Sequence, residues 1–225
     1  MDQYDLLLFD FDGLLVNTEK LHFRAYQEMC LQRGFFLSWS FQEYCSRAHL
    51  GSEFLQKAIY EDFPALYQKE PDFKVLYQEK KKAFLKILEE ESVELMPGVE
   101  RLLNELQERK KRCVIVTHSL LELIQAIQKK RPILKIISKI VTREDYKYPK
   151  PHPDPYLKAL ELYRRAGDRV VGFEDTVRGW KSIHAADVQG IVISSCLSPE
   201  FKEFLTQEKV IQYQSFEELA FLSSL

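Results

Sequence analysis

Cysteine is sparse and unpatterned in this chain. Cys30, Cys45, Cys113 and Cys196 stand far apart and form no Cys-x-x-Cys pair, which leaves reduced thiols in the core or on the surface rather than a disulfide framework. No apolar run approaches the about 20 residues that a helix needs to cross a bilayer. Charge of one sign is also missing: 32 Lys and Arg face 34 Asp and Glu, a net −2. A nucleic acid or polyphosphate-coated partner therefore finds no electrostatic attraction. The opening Met-Asp-Gln-Tyr-Asp is acidic and runs straight into an apolar segment, unlike a secretory leader, so the expected compartment is the cytoplasm. Repeats and low-complexity tracts are absent. What remains is a globular composition, 45% hydrophobic and 29% charged over 225 residues. That suits one domain, or a core carrying a smaller insertion.

The rest of the chain is organised around Leu6-Leu7-Leu8-Phe9-Asp10-Phe11-Asp12-Gly13. A short apolar run bounded by acids and a glycine reads as a strand buried on both faces of a parallel sheet. Asp10 then stands at the C-terminal strand end, where open α/β sheets form ligand crevices. Asp12 follows two residues later, and Gly13 permits a tight turn. Two acids on one turn can hold Mg²⁺ and do covalent chemistry on phosphate. Taken alone, Asp-x-Asp-Gly is equally a polar strand end with solvated acids.

Asn17-Thr18 is placed to cap a helix from Glu19 to about Arg33, stopped by Gly34. Helical patches follow at Ser40–Ala48, Ser52–Asp62 and Asp72–Glu91, with no strand among them. The run Lys80-Lys81-Lys82 reads first as a solvated helix face and second as an anion site. From Val93 the pattern changes to alternation. Helices are expected from Pro97-Gly98 to Lys110, Leu120–Lys130, Pro155–Ala166 and Asp175–Ala186. Strands are expected at Arg112–Val116, Ile136–Val141, Val170–Phe173 and Gly190–Ser194. Alternating strands and helices predict an α/β fold, a Rossmann-like doubly wound parallel sheet. The boundaries expected are 1–16 and 93–225 for the α/β core and 17–92 for an inserted all-helical domain.

Three later features fall at strand ends or in loops following strands: Thr117-His118-Ser119, Lys150 in Lys150-Pro151-His152-Pro153-Asp154, and Glu174-Asp175-Thr176. In a doubly wound sheet all of them can point into one crevice with Asp10. The ordered set Asp-Phe-Asp-Gly-Leu-Leu-Val-Asn-Thr-Glu, Val-Thr-His-Ser, Lys-Pro-His-Pro-Asp and Gly-Phe-Glu-Asp-Thr resembles the four motifs of the haloacid dehalogenase-like superfamily. The likeness is strongest to its phosphatase and β-phosphoglucomutase-like branch, with a helical cap after the first motif. It implies a Mg²⁺-dependent enzyme acting on a small phosphorylated metabolite. Asp10 would attack phosphorus and Asp12 would serve as general acid and base, its main-chain carbonyl binding the metal. Asp175 would ligate Mg²⁺, with Glu174 directly or through water. Thr117 and Lys150 would bind the phosphoryl oxygens. A halide needs no acid to leave, so Asp12 favours phosphoryl transfer over dehalogenation.

Other residues are less decisive. His22, in a segment similar to β-phosphoglucomutase, His118 and Ser119 are candidate substrate contacts; His118 equally fills its turn. His152 reads as solvent-exposed, His184 as structural, and Arg178 as the partner of a local ion pair. The mutase places an arginine at the start of a cap helix to hold the sugar's second phosphate. Aligning Leu55-Gln56-Lys57 puts Gly51 at that position, with Arg47 one turn out of register. A phosphatase is thus expected first and a hexose-phosphate mutase second.

Overall fold

A computed structural model describes residues 3–48, 50–195 and 199–219; Cys196 and the first two residues of the acidic N-terminus lie outside this range. The described chain divides into two compact units, Met1–Asn17 with Glu94–Leu225, and Thr18–Val93.

The first unit is an α/β layer built on a six-stranded parallel sheet of order β3-β2-β1-β4-β5-β6. The strands are β1 (Leu6–Phe9), β2 (Arg112–Val116), β3 (Lys139–Val141), β4 (Val170–Glu174), β5 (Gln189–Ile193) and β6 (Ile211–Tyr213). The central strand β1 pairs with β2 on one side and β4 on the other, Phe9 standing level with Ile115 and Phe173. The strand order reverses direction at β1, which is where such sheets open a crevice at their C-terminal edge. All four side chains of β1 are buried, as a strand covered on both faces requires. Leu6 and Leu8 pack on the face that holds Tyr156, Ala159 and Ile183. Phe9 points to the other face and stacks on Phe173 at 4.9 Å between ring centroids. The helices of this unit are α6 (Val99–Glu108), α7 (Leu121–Lys130), α8 (Asp154–Tyr163), α9 (Val177–Ala185) and α10 (Pro199–Gln207).

The second unit carries α1 (Glu19–Gln32), α2 (Phe41–Ala48), α3 (Ser52–Asp62), α4 (Pro64–Lys69) and α5 (Phe73–Glu90). Its core gathers Met29, Cys30, Leu37, Trp39, Leu55, Ile59, Leu66 and Leu76. The Arg33 guanidinium on the C-terminal side of α1 bonds both oxygens of Glu79 on α5 at 2.9 and 2.5 Å.

Several sequence expectations change here. Thr18 occupies the N-cap position of α1, but with helical backbone angles its side chain accepts no capping bond. Thr176 and Asp72 do cap, accepting from Gly179 N and Lys74 N. The strand expected at Ile136–Val141 shortens to Lys139–Val141, because Pro132 begins a tight 3-10 turn over Pro132–Ile136. Leu134 within the turn and Ile137 just after it are buried without joining the sheet. Helix α8 stops at Tyr163 rather than Ala166, and Gly167 follows at φ +85°. Lys80 is no solvated residue: it is 4% exposed, with Nζ 2.8 Å from His22 Nδ1 and 5.0 Å from the Tyr26 ring. Helix α5 turns this one position of the triple-lysine run inward, so the charge is held among aromatic faces.

Candidate active site

The site is assembled from strand ends. Because Phe9 and Phe173 are in register, the residues after them, Asp10 and Glu174, emerge side by side, and Asp10 N donates to Phe173 O at 3.0 Å. The turn after Asp10 is closed by Gly13 N to Val16 O at 2.9 Å, with Gly13 at φ +80°, a conformation that glycine adopts without strain.

Lys150 joins the acids. Its Nζ donates to Asp10 Oδ1 at 2.5 Å and to Val116 O at 2.8 Å, and lies 2.6 Å from Glu174 Oε1. All three ammonium hydrogens thus have partners, and the side chain is only 5% exposed. Tyr156 on α8 donates its hydroxyl to the same Glu174 oxygen at 2.5 Å. The loop carrying Lys150 is tied down by Ser182 Oγ to His152 O at 2.6 Å and by Tyr148 N to Asp154 Oδ2 at 3.0 Å. Burial pushes the Asp10 carboxyl up to about 7, against the pull of the Lys150 ammonium. Burial alone would lower the Lys150 pKa; the Asp10 and Glu174 carboxylates outweigh it and hold the amine protonated.

Asp12 is oriented from β2. Ser119 Oγ donates to Asp12 Oδ2 at 2.6 Å, Thr117 Oγ1 reaches the same oxygen at 3.5 Å, and Ser119 N donates to Thr117 Oγ1 at 3.0 Å. Behind them Tyr146 donates its hydroxyl to Thr117 O at 3.1 Å and meets His118 Nδ1 at 3.1 Å. A phenol has one proton, and the carbonyl can only accept. His118 therefore carries its proton on Nδ1, donates to Tyr146, and leaves Nε2 as an acceptor. Burial, then the cations Arg178, Arg143 and Lys150, drive the His118 pKa down to about 3, so the ring is neutral at physiological pH.

Carboxylate oxygens of Asp10, Glu174 and Asp175 lie within 4.8 Å of one another. Three hard anionic oxygens at that spacing form a donor set suited to Mg²⁺. Glu174 also accepts from Lys150 and Tyr156, so it anchors the ammonium as well as facing the acids.

The structure thus brings together Asp10, Asp12, Thr117, Ser119, Lys150, Glu174 and Asp175 within the α/β unit. His22 belongs to the helical unit, where its ring stacks on Phe84 at 4.4 Å and its Nδ1 meets Lys80. His152 pairs with Asp154 at 2.9 Å and His184 stacks on Trp180 at 4.8 Å. The local ion pair expected of Arg178 does not form among the described residues, and its Nε is buried without a hydrogen-bond partner. Tyr146, Tyr156, Arg143 and Gly179 were not legible as site residues from spacing alone. Tyr156 had one signal, its place in the first turn of the helix that follows the lysine loop.

Gly179 carries a sharp consequence. A Cβ there would overlap the Glu174 carboxylate itself. Alanine normally stabilises a helix interior by about 1 kcal/mol over glycine, but here the overlap reverses the sign. Gly179→Ala is expected to lose about 1–3 kcal/mol and to displace Glu174 from Lys150. Thermal unfolding checks the first effect; a melting temperature at or above that of the unsubstituted protein would contradict it.

A doubly wound sheet with an acid cluster and a buried lysine at its reversal point defines a class of α/β hydrolases. The chain belongs to the haloacid dehalogenase-like hydrolase family, whose model matches residues 7–214. It is 27% identical over 194 residues to protein CbbY of Rhodobacter capsulatus, covering 84% of this chain and 85% of that one. To the phosphorylated carbohydrates phosphatase of Thermotoga maritima it is 26% identical over 196 residues, covering 83% of each. The crystal structure of CbbY from Rhodobacter sphaeroides with phosphate has the same fold, with a TM-score of 0.79 at 24% identity over 98% of both chains.

Proposed function

We propose that the chain is a Mg²⁺-dependent phosphatase that hydrolyses a small-metabolite phosphate monoester through an aspartyl-phosphate on Asp10. The observation that carries this reading is the convergence of Asp10, Asp12, Thr117, Lys150 and Asp175 at one sheet edge, and the phosphatase among the relatives supports it.

Asp10 attacks phosphorus while Asp12 gives its proton to the departing alcohol oxygen, so the ester bond breaks as the Asp10 oxygen–phosphorus bond forms. Water then attacks the same phosphorus, Asp12 takes the water proton, and the bond to Asp10 breaks to release inorganic phosphate. Lys150 and Thr117 bind the phosphoryl oxygens. The Lys150 hydrogen that bonds Asp10 is available to a phosphoryl oxygen once Asp10 has given up its charge to the ester. Ser119 fixes the Asp12 carboxylate for both proton transfers. Asp10, Asp175 and the Asp12 carbonyl would hold Mg²⁺, with Glu174 directly or through water. Bound there, Mg²⁺ supplies charge neutralisation at the phosphoryl group and favours ionised Asp10.

The helical unit, taken as the cap, is where substrate selection would lie. Gly51 argues against the mutase alternative: at φ +128° it starts α3 in a conformation that excludes an arginine without local rearrangement. Arg47 is engaged elsewhere, donating to Glu43 O at 3.0 Å and lying 4.5 Å from the Trp39 ring. No helix among the described residues is long and apolar enough to cross a membrane.

Chelation tests the metal. Phosphate release from sugar phosphates should disappear in EDTA and return with Mg²⁺, and Asp175→Asn should need a higher Mg²⁺ concentration for half-maximal rate. Undiminished hydrolysis in EDTA would reject the metal requirement.

A further inference from the structure

The net charge of −2 hides an uneven distribution. Leu6, Arg112 and Lys139 begin β1, β2 and β3 at the N-terminal edge of the sheet, opposite the edge that carries Asp10. A cavity of about 380 Å³ opens there, between these strand starts and the chain leaving α8, a size within the range of small-molecule sites. Five cations line it: Lys111, Arg112, Lys139, Arg164 and Arg165. Among the described residues no carboxylate does. Its apolar lining reaches into the core at Leu6 and Val114, each 1% exposed, and continues outward through Leu162.

The charges around this cavity are only partly answered. One Asp168 oxygen pairs with Arg112, and the other accepts from Arg165 N at 2.6 Å. Lys111 donates Nζ to Tyr4 O at 2.8 Å, and Arg112 donates Nη1 to Tyr163 O at 3.2 Å. The end of α8 thus has its cation already, and the Arg164 and Arg165 side chains are not needed to cap it. Arg164, Arg165 and Lys139 form no side-chain ion pair among the described residues, and Lys139 Nζ stands 5.9 Å from the Tyr163 ring. Like charges around one recess repel, and a recess with apolar walls lined by one sign of charge concentrates counter-ions.

We propose that this cavity binds a small organic polyphosphate, its phosphates held by Arg164, Arg165 and Lys139 and its organic body laid against the apolar lining. Guanidinium forks grip phosphate oxygens in pairs, and a lysine adds a point charge. A bare inorganic ion would leave Val114 and Leu162 unused. A nucleic acid draws on positive charge spread along a surface, which a chain of net −2 does not favour. The cavity lies at the other ends of the strands from the phosphoryl crevice, so the site stands whether or not the chain is a phosphatase.

The test is calorimetric binding of ATP in EDTA, with inorganic tripolyphosphate and adenosine as the two halves of the probe. ATP should bind about fivefold or more tighter than tripolyphosphate, because the ring buries apolar surface, and adenosine should bind more weakly than either. Arg164→Gln combined with Arg165→Gln should weaken ATP binding about tenfold or more, and Lys139→Gln should weaken it further. All three side chains are exposed, so these variants should fold. A second measurement locates the site without any substitution: ATP should shift backbone amide resonances at residues 111–114 and 162–165. No ATP binding, an affinity untouched by the glutamine variants, or shifts confined to residues 10–13 and 174–176 overturns the inference. ATP binding no tighter than tripolyphosphate, or adenosine binding as tightly as ATP, overturns the ligand class. The two readings fail separately. ATP seated at residues 111–114 and 162–165 in a protein that releases no phosphate would reject only the phosphatase. Phosphate release without those shifts would reject only the polyphosphate site.

Discussion

Asp10→Asn should lower phosphate release by about 10⁴-fold or more, the scale on which removal of a covalent nucleophile is felt. The substitution keeps size and shape, and the amide oxygen can still accept from Lys150. Folding should therefore survive, all the more because one buried carboxylate no longer faces Glu174 and Asp12, both of which oppose its ionisation. What is lost is the anion that forms the bond to phosphorus. Substrate should still bind, so the deficit belongs in kcat rather than in KM. Rapid quenching of the unsubstituted enzyme during turnover should trap phosphate on a peptide containing Asp10, and the same quench of the variant should trap none. A variant with ordinary turnover, or a phosphopeptide mapping elsewhere, would overthrow the covalent mechanism.

The strand ends of this protein were readable because the sheet rule is simple. A buried strand must be apolar, so the first polar residue after it marks the crevice, and Asp10, Thr117 and Glu174 each follow an apolar run in that way. The helical patch expected at Ser52–Asp62 has those bounds in the structure. The short elements were not: α4 spans Pro64–Lys69 and β6 Ile211–Tyr213, too few residues to display a period. Lys80 escaped for a different reason. Sequence gives the helix but not its rotation, and one step around α5 separates a solvated lysine from one enclosed by His22, Tyr26 and Phe84. Likewise, spacing revealed that Lys150 would reach Asp10 but not that Tyr156 and Glu174 would brace it, since those contacts depend on how α8 lies over the sheet. The position of Arg178, buried at Nε and lacking an acid, is a property of packing alone.

Lys150→Met is the second large effect, and it separates structure from catalysis. In the folded protein Nζ satisfies Asp10, Glu174 and the Val116 carbonyl together, with the Tyr156 ring 5.2 Å away. Methionine fills similar volume but leaves two carboxylates buried and facing each other without a cation. Breaking one side of such a buried pair costs about 3–5 kcal/mol. In EDTA the melting temperature should fall accordingly, and Mg²⁺ should restore part of it, because a divalent ion among Asp10, Glu174 and Asp175 supplies the missing positive charge. Activity should stay low even in saturating Mg²⁺, by about 10²–10³-fold, since the phosphoryl oxygens have lost a donor. A second substitution distinguishes the causes. Asp10→Asn with Lys150→Met removes one of the stranded charges, so the double variant should be more stable than Lys150→Met alone, a coupling that separate sites would not display. Equal stability of the two, together with a Lys150→Met protein that melts as the unsubstituted one does, would mean that the ammonium is not the counter-charge that lets these acids share one crevice.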